Sequence, residues 1–339
     1  MNKKLISGFY KLGVKERVKI LNEMGIISCE ERHSLERQNQ ILSINEADKM
    51  IENVIGVFGL PLAIASDFLV NDKNYFVPMV VEEPSVVAGV NNAAKIIKSS
   101  GGFKSELRNS LLVGQIQIRN LKDTAQAKKI LQQNKSNLIE KANELIPRLN
   151  ERGGGVKDID IREVNIQNRV DLVLHLHVNT ADAMGANLVN TICEGLSDVI
   201  EGMIAGNVGL KILSNYTDQS LVKVEIEIHP DLLEKNEFTG IEVRDGIINA
   251  CDFANADPYR AVTHNKGIMN GIDAVAIATG NDWRAIEAAA HAYASSTGRY
   301  KSLSNWDICD NGNLKGELLM PIKVGIVGGS LSANPASRM

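Results

Sequence analysis

The chain is organised around residues 256–294, which read ADPYRAVTHNKGIMNGIDAVAIATGNDWRAIEAAAHAYA. Lys266 lies there among small and polar residues, in a segment that we predict to be a glycine-bearing loop. The apolar run AVAIATG after it predicts a short strand, and Asp282 then opens an alanine-rich helix. A cation and a carboxylate on either side of one short strand can fold into contact, so we predict that Lys266 pairs with Asp282.

Each of these residues also has an ordinary structural interpretation. Lys266 can be an exposed loop lysine, and Asp282 can be a simple helix N-cap. A buried ammonium would instead stabilise a developing oxyanion, and the carboxylate would hold that ammonium in place. Spacing leaves both interpretations open. The neighbouring His264 and His291 could ligate or shuttle protons, although nothing in their spacing requires it.

The composition is that of a globular protein with room for two domains. The chain has 339 residues, of which 44% are hydrophobic and 4% aromatic, so we predict a core of Ile, Val, Leu and Ala. The net charge of -4 and the lack of a long basic run argue against binding to nucleic acid or to an anionic membrane. The four cysteines are far apart, which favours a reducing cytoplasm. We find neither a signal peptide nor an apolar run of roughly 18 residues.

The N-terminal part predicts helices followed by one hairpin. Residues 14–56 look helical, with Asn45 as an N-cap and Gly56 as a stop. Residues 68–81 predict two short strands joined by a turn at 71–74.

Two adjacent acids, Glu82 and Glu83, precede a helix that we predict over residues 86–100. Pro84 suits the first turn of that helix. Glu83 therefore lies at a helix entrance, where the helix dipole favours a carboxylate. It can simply decorate the helix start, or it can act as a general acid.

The middle of the chain alternates between strand and helix patterns. The order is strand, helix, strand, strand, helix, strand over residues 111–121, 122–150, 156–166, 171–178, 183–204 and 208–215. This order predicts a split βαβ, ferredoxin-like unit. We therefore predict an α+β fold, in which a small domain at 109–215 is inserted into a large mixed α/β domain formed by 1–108 and 216–339.

Three polar or glycine-bearing motifs have open interpretations. Residues 182–187, DAMGAN, form a strand-to-helix turn whose backbone amides could approach a phosphate, or an ordinary turn. The fingerprint G-x-G-x-x-G is not found, so a Rossmann domain is not supported. Residues 325–330, GIVGGS, lack the lysine of a phosphate loop, and we interpret their glycines as close packing. His175 and His177 share one strand face at a metal-binding spacing, but no Cys or carboxylate beside them completes a site, so we predict a structural role and no metal.

Five segments together resemble a known family. They are ENVIG (52–56), EEPSVVA (82–88), DAMGANLVNT (182–191), DPYRAVTHNKGIMNGIDA (257–274) and GNDWRAIEAAAHAYA (280–294). In this order they are similar to the signature segments of 3-hydroxy-3-methylglutaryl-CoA reductases of the soluble microbial (class II) type. The resemblance implies two-step hydride reduction of the CoA thioester to mevalonate and free CoA, or the reverse, in isoprenoid biosynthesis. It implies NADH or NADPH as cofactor and no metal.

The resemblance also implies roles for particular residues. It makes Glu83, Lys266 and Asp282 the catalytic set: the lysine stabilises an oxyanion, Asp282 orients the lysine and Glu83 supplies a proton. The implied substrate contacts are Ser85, Asn215, Arg260 and Asn270. The cofactor would lie on the small domain, against Asp182, Met184, Gly185 and Asn187. ENVIG would complete the neighbouring subunit's CoA site, which implies a homodimer with active sites at its interface.

The family pattern continues beyond the VGG at 327–329 into a helical flap, whose His protonates the departing CoA thiolate. The sequence ends at Met339, and neither His264 nor His291 matches that flap residue. We therefore expect these residues to dimerise and bind cofactor but to turn over poorly. Two alternatives stay open: a different CoA-thioester or aldehyde reductase, and a flap-less ligand-binding form. The choice between NADH and NADPH and the physiological direction also stay open.

Overall fold

The computed structural model describes residues 8–36 and 42–325 of the chain. Its helices are α1 (Val14–Glu23), α2 (Cys29–Glu36), α3 (Ile44–Ala47), α4 (Val86–Ser99), α5 (Thr124–Gln133), α6 (Lys135–Glu144), α7 (Pro147–Asn150), α8 (Ala186–Gly195), α9 (Ser197–Met203), α10 (Gly240–Ala256), α11 (Pro258–Ala278) and α12 (Trp283–Ala294). Its strands are β1 (Leu62–Val70), β2 (Lys73–Val80), β3 (Lys104–Leu107), β4 (Leu111–Arg119), β5 (Gly155–Ile166), β6 (Arg169–Asn179), β7 (Asn207–Ser214), β8 (Leu221–Ile228), β9 (Ser304–Ile308) and β10 (Leu314–Pro321).

The strands form antiparallel sheets. β1 and β2 make a hairpin, β3-β8-β10-β9 make one four-stranded sheet, and β5-β6-β4-β7 make another. Helices cover these sheets, so the predicted α+β class is confirmed. No helix in the described ranges is both long and apolar enough to cross a membrane.

The sheet β5-β6-β4-β7 has the element order predicted for a split βαβ unit. Its helices α5–α9 pack on one face, where Leu131, Leu138 and Ile192 are fully buried against strand residues such as Leu174. Burying one such side chain stabilises the fold by about 1.5–3 kcal/mol, so this cluster is a core in its own right. The boundaries of an inserted domain at 109–215 remain a prediction.

Long helices predicted here are broken in the structure. Within residues 122–150, the first helix ends at its C-cap Asn134, whose Nδ2 donates to the Ile130 carbonyl. The helical segment is interrupted a second time before Pro147. Proline disfavours the helical conformation of the residue before it, and Ile146 accordingly has φ -132° and ψ 50°. The helix predicted over 183–204 begins only at α8 and divides between α8 and α9.

The prediction of helix over residues 14–56 is confirmed only within α1, α2 and α3, and residues 37–41 of that range lie outside the described residues. α1, α2 and α3 are short, and the last begins at Ser43, not Asn45. The Ser43 side chain accepts from the Glu46 amide while Glu46 Oε2 accepts from the Ser43 amide, a capping box. Beyond Ala47 the chain leaves the helix, so Gly56 does not end one.

The predicted hairpin and the helix after it are confirmed, but β1 begins at Leu62 rather than near residue 68, and the turn takes up only the first two of the four predicted residues. Asn71 and Asp72 have φ of 46° and 65°, the left-handed pair that a two-residue hairpin turn requires. α4 begins just after Ser85, so Glu83 lies at a helix entrance as expected.

The predicted loop around Lys266 and the predicted strand after it are wrong, because α11 is one continuous helix. It starts at Pro258, and the Asp257 carboxylate accepts from the amides of Tyr259 and Arg260. A short apolar run has the same pattern in a buried strand and in a buried helix. Here the run packs on several sides, since Ala274 lies against the hairpin and Ala276 lies in the cluster that includes α12.

Candidate active site

A lysine–glutamate ion pair joins two parts of the chain that are distant in sequence. The Nζ of Lys266 donates to Glu83 Oε2 at 2.7 Å. The contact forms because α11 packs on the β1–β2 hairpin and α4, with Met79 and Ala274 in one apolar cluster. Glu83 lies between β2 and α4, so this packing brings it to the middle of α11. The side chains of Lys266 and Glu83 are 61% and 47% exposed, so the pair is open to a ligand.

A buried asparagine fixes the backbone beside this lysine. Asn265 is fully buried; its Nδ2 donates to the Lys301 carbonyl at 2.8 Å and its Oδ1 accepts from the Leu303 amide at 2.9 Å. His264 is hydrogen-bonded through Nε2 to Ser304 Oγ at 2.9 Å, and burial lowers the pKa of this imidazole. The next residue, Lys266, therefore faces outward. Our sequence interpretation gave Asn265 no role, because it placed this residue in a loop, where burial of the amide is not expected.

The predicted substrate residues divide into two groups. Ser85 is exposed, has φ 71° and follows Glu83 by two residues, so it borders the ion pair. Asn270 lies one helical turn after Lys266 on α11, which makes the two side chains neighbours. Arg260 lies near the start of the same helix. Asn215 is exposed just after β7, and in the described residues no hydrogen bond or ion pair links it to the others.

Asp282 does not pair with Lys266 in this chain, so the predicted contact is wrong. Its Oδ1 accepts from the Ala285 amide at 3.1 Å and caps α12. The preceding Asn281 amide donates to the Ala276 carbonyl, which holds this turn beside the end of α11. At a rise of about 1.5 Å per residue, Ala276 is roughly 15 Å along the axis from Lys266. A helix cannot fold back as the predicted strand and loop could.

The predicted cofactor turn, 182–187, is shaped by close backbone contacts. Gly185 has φ 92° and precedes α8; a Cβ there would lie 2.3 Å from the Thr180 side chain. A Cβ on Gly325 would lie 2.5 Å from the Met184 amide nitrogen. Only glycine fits either position, and Gly185, as the N-cap of the ten-residue helix α8, offers no side chain to the first amides of that helix. Backbone amides in that position suit a phosphate. Among the predicted cofactor residues, Met184 and Gly185 are half-buried, and the exposed ones are Asp182 and Asn187.

The cofactor turn and Asp282 meet through one short segment. The Gly325 amide donates to Asn281 Oδ1 at 2.9 Å, and Asn281 Nδ2 donates to Thr279 Oγ1 at 3.0 Å. Asp282 is therefore next to a residue that touches the same glycine as Met184. The sequence interpretation missed Asn281. Close packing is borne out at Gly325, whereas 326–330 lie outside the described residues.

His175 and His177, which lie on β6, both form side-chain hydrogen bonds. His175 Nε2 is hydrogen-bonded to Gln115 Nε2 at 2.8 Å, and burial lowers the pKa of His175. His177 Nε2 is hydrogen-bonded to Asp160 Oδ2 at 2.8 Å. In the described part of the chain, no three or more His, Cys, Asp or Glu side chains are placed to hold a metal ion.

Comparisons with known proteins agree with this fold. The hydroxymethylglutaryl-coenzyme A reductase family model matches residues 13–339. A 3-hydroxy-3-methylglutaryl-coenzyme A reductase of Archaeoglobus fulgidus is 46% identical over 334 residues, 98% of this chain and 75% of that protein. The chain therefore belongs to the hydroxymethylglutaryl-coenzyme A reductase family.

Solved structures narrow the similarity to one class. A reductase of this name from Streptococcus pneumoniae matches with a TM-score of 0.92 and 42% identity, covering 97% of this chain and 78% of that one. A class II reductase from the same organism, described as bound to NADPH in open conformations, matches equally well over 97% of this chain and 89% of its own. This chain therefore has the architecture of a class II reductase.

Proposed function

We propose that the chain is a 3-hydroxy-3-methylglutaryl-CoA reductase, which converts the thioester to mevalonate and free CoA with a nicotinamide cofactor, or catalyses the reverse. The observation that carries this proposal is the exposed Lys266–Glu83 pair within a chain of this family. An ion pair open to solvent on a helix face, bordered by Ser85 and Asn270, is a place where a carbonyl oxygen can bind.

The chemistry requires a cation and a proton source. Reduction of the thioester carbonyl places negative charge on its oxygen, and the ammonium of Lys266 is the cation that would meet that charge. Removal of one such preorganised group commonly costs about 3–4 kcal/mol of transition-state stabilisation. Glu83 accepts a hydrogen bond from the ammonium at 2.7 Å, so in its protonated form it would be placed to supply a proton to the same oxygen.

The neighbouring polar residues would orient the substrate. We assign the carboxylate and hydroxyl contacts to Ser85, Arg260 and Asn270, because Ser85 follows Glu83 at the entrance to α4, and Arg260 and Asn270 lie on α11 with Lys266. Asn215 would reach the substrate from the end of β7. These assignments rest on the resemblance of the surrounding segments.

The cofactor would bind at the turn formed by 182–187. The residues fit such a group, because the N-cap Gly185 provides no side chain that could hydrogen-bond the first amides of α8, and amides at a helix start suit a phosphate. A reduced nicotinamide, when bound, supplies the hydride. Asp182, Met184 and Asn187 would border it, and Asn281 would hold the segment that lies between the turn and Asp282. NADH and NADPH both suit this arrangement.

A homodimer would bring the two halves of the site together. In one chain, Asp282 and the cofactor turn lie together, and Lys266 and Glu83 lie together, but the halves are far apart. A two-fold interface would place each half opposite the complementary half of the partner. Supporting this, residues 50–62 form an exposed arm, in which Ile55 is fully exposed and Phe58 is 88% exposed.

Exposed apolar side chains also occur on α11. Tyr259 is 88% exposed and Val262 is 54% exposed, on turns that precede Lys266. Large exposed apolar side chains grouped around polar ones are typical of protein interfaces. The ENVIG segment within the arm would then complete the CoA site of the partner.

We further propose that residues 109–215 act as the cofactor domain. We also propose that the protein is cytoplasmic, which its four free cysteines support.

Mixing two inactive variants tests the function and the interface together. Lys266→Met and Asp282→Asn should each be inactive alone when NADPH oxidation and mevalonate formation from the CoA thioester are measured. After joint refolding, half the dimers are hybrids and each has one intact site of two, so about a quarter of native turnover should return. No recovery from the mixture would contradict a shared site. Turnover with other acyl-CoA thioesters but not with this one, or binding without hydride transfer, would contradict the reductase assignment.

A further inference from the structure

Two carboxyl groups face each other across the helices that carry the proposed catalytic residues. Asp273 lies on α11 and Glu287 on α12, near the turn that joins the helices. The two side chains are within hydrogen-bonding reach, and Asp273 Oδ1 is buried without a hydrogen-bond donor. Met269 on α11 and Ile286 on α12 belong to one apolar cluster of these two helices, and the Glu287 side chain is 35% exposed.

The surroundings hold little that could balance two negative charges. In the described ranges, neither carboxyl forms an ion pair with a lysine or arginine. From α12, His291 Nε2 lies 4.0 Å from Glu287 Oε1. From the segment before β9, the Tyr300 hydroxyl is hydrogen-bonded to His291 Nδ1 at 2.7 Å. No other titratable group of the described residues contacts the pair.

A buried acceptor that faces another acceptor is costly unless a proton lies between them. One proton shared by two carboxyl groups supplies the missing donor and removes one of the two charges. We propose that Asp273 and Glu287 share one proton across the α11–α12 hairpin and thereby act as positioning residues for Asp282. The Asp282 role rests on the proposed function, whereas the shared proton does not.

The position of the pair explains this consequence. Asp273 lies five residues before the end of α11, and Glu287 lies five residues after Asp282. The pair therefore closes the hairpin from which the turn of Asn281 and Asp282 projects. Loss of the proton would leave two facing carboxylates, push α12 away from α11 and shift Asp282 relative to the cofactor turn.

The direction of the pH dependence follows from the same contacts. Burial, together with the neighbouring Glu287, raises the pKa of Asp273 to about 7. The folded state then holds a proton that the unfolded state releases near its ordinary pKa of about 4. Stability contributed by the protonated pair is fully present below that ordinary value and is lost as the pH rises toward about 7.

The first test is Glu287→Gln, because an amide donates to Asp273 at every pH. Thermal unfolding of the full chain from about pH 4 to about pH 8 should show a decline in the native protein that the variant lacks. Glu140→Gln is the matched control, since Glu140 is an exposed helical glutamate without a described hydrogen bond or ion pair. An equal decline in all three proteins would overturn the shared proton.

The second test follows the turn itself. The Ala285 amide donates to Asp282, so hydrogen exchange of residues 279–287 reports on that cap without any turnover. After correction for the intrinsic rate, exchange in the native protein should speed up by about tenfold or more above pH ~7, and Glu287→Gln should abolish this increase. Asp273→Ala should exchange fast at every pH.

The catalytic readout separates positioning from simple stability. The kcat of the native enzyme should fall above about pH 7 with little change in KM, and Glu287→Gln should keep kcat at high pH. If the corrected hydrogen-exchange rates do not depend on pH while the pH profile of thermal unfolding is altered, the positioning role is contradicted and the shared proton is supported. A native protein without any turnover would contradict the proposed function but not the shared proton. Thermal unfolding and hydrogen exchange test the Asp273–Glu287 pair independently of activity.

Discussion

Replacing Lys266 by methionine separates a catalytic ion pair from a structural one. The pair has good geometry, 2.7 Å between Nζ and Oε2, but its side chains are 61% and 47% exposed. Exposed pairs of this kind contribute about 0–1 kcal/mol to the free energy of unfolding. Methionine and lysine have nearly equal helix propensities, so the variant should unfold within about 1 kcal/mol of the native protein.

The chain contains a close control for this substitution. Lys19 pairs with Glu23 on α1, at 3.6 Å, and the two side chains are 60% and 50% exposed. Lys19→Met therefore removes a lysine of equal exposure, also from the interior of a helix and also from an ion pair with glutamate. Both variants should show the same small change in unfolding.

Turnover should distinguish the two variants sharply. If Lys266 meets the charge on the thioester oxygen, its loss should lower kcat by about a hundredfold to a thousandfold, or about 2.7–4 kcal/mol in the activation free energy. Lys19→Met should retain native turnover. The assays are thermal unfolding and NADPH oxidation under identical buffer conditions.

Two results would refute this reasoning. Turnover of Lys266→Met within about tenfold of native would remove the oxyanion role, because a preorganised cation contributes more than that. A free energy of unfolding of Lys266→Met that is much lower than that of Lys19→Met would show that Lys266 mainly holds α11 against the β2–α4 loop.

Other changes give equally direct outcomes. Gly185→Ala should destabilise the fold by more than about 1 kcal/mol, because the φ of 92° and the Thr180 side chain exclude a Cβ at this position. The same variant should bind NADPH more weakly in a fluorescence titration. Gly202→Ala is the control at an open helical position, and it should stabilise the fold by up to about 1 kcal/mol. Asp282→Ala should lose about 1 kcal/mol as a missing N-cap, whereas Asp282→Asn should keep the unfolding temperature and still lose turnover. Lys323→Met should raise the unfolding temperature near pH 7, with a gain that shrinks toward about pH 10; burial lowers the pKa of Lys323, so its charged form penalises the folded state until the pH approaches the unfolded pKa. An equal gain at both pH values would contradict that account.

Features set by neighbouring residues were predictable from the sequence. The hairpin turn at Asn71–Asp72 needs two residues that tolerate positive φ, and the sequence places two such residues there. Asp282 caps a helix because a carboxylate accepts amide protons two or three residues on. The strand and helix order from β4 to β7 follows from periodicity in the same way.

Helix lengths were less predictable, because packing and single residues override propensity. Pro147 and Asn134 break one predicted helix into α5, α6 and α7. The apolar run within α11 fits a strand and a helix equally well in a short window. Burial against the hairpin, β10 and α12 decides for the helix, and that burial is not visible in the run itself.

The sequence indicated which residues are candidates for the chemistry: a lysine, two acids and a glycine-containing turn lie in segments that resemble one family. Only the tertiary structure decided which of them meet. Lys266 contacts Glu83, 183 positions away, and not Asp282, only 16 positions on. The physical reason is that an α-helix is a rigid rod of about 1.5 Å per residue, so α11 keeps its middle and its end apart. The same rod places Asp273 against Glu287, a contact that no local pattern announces.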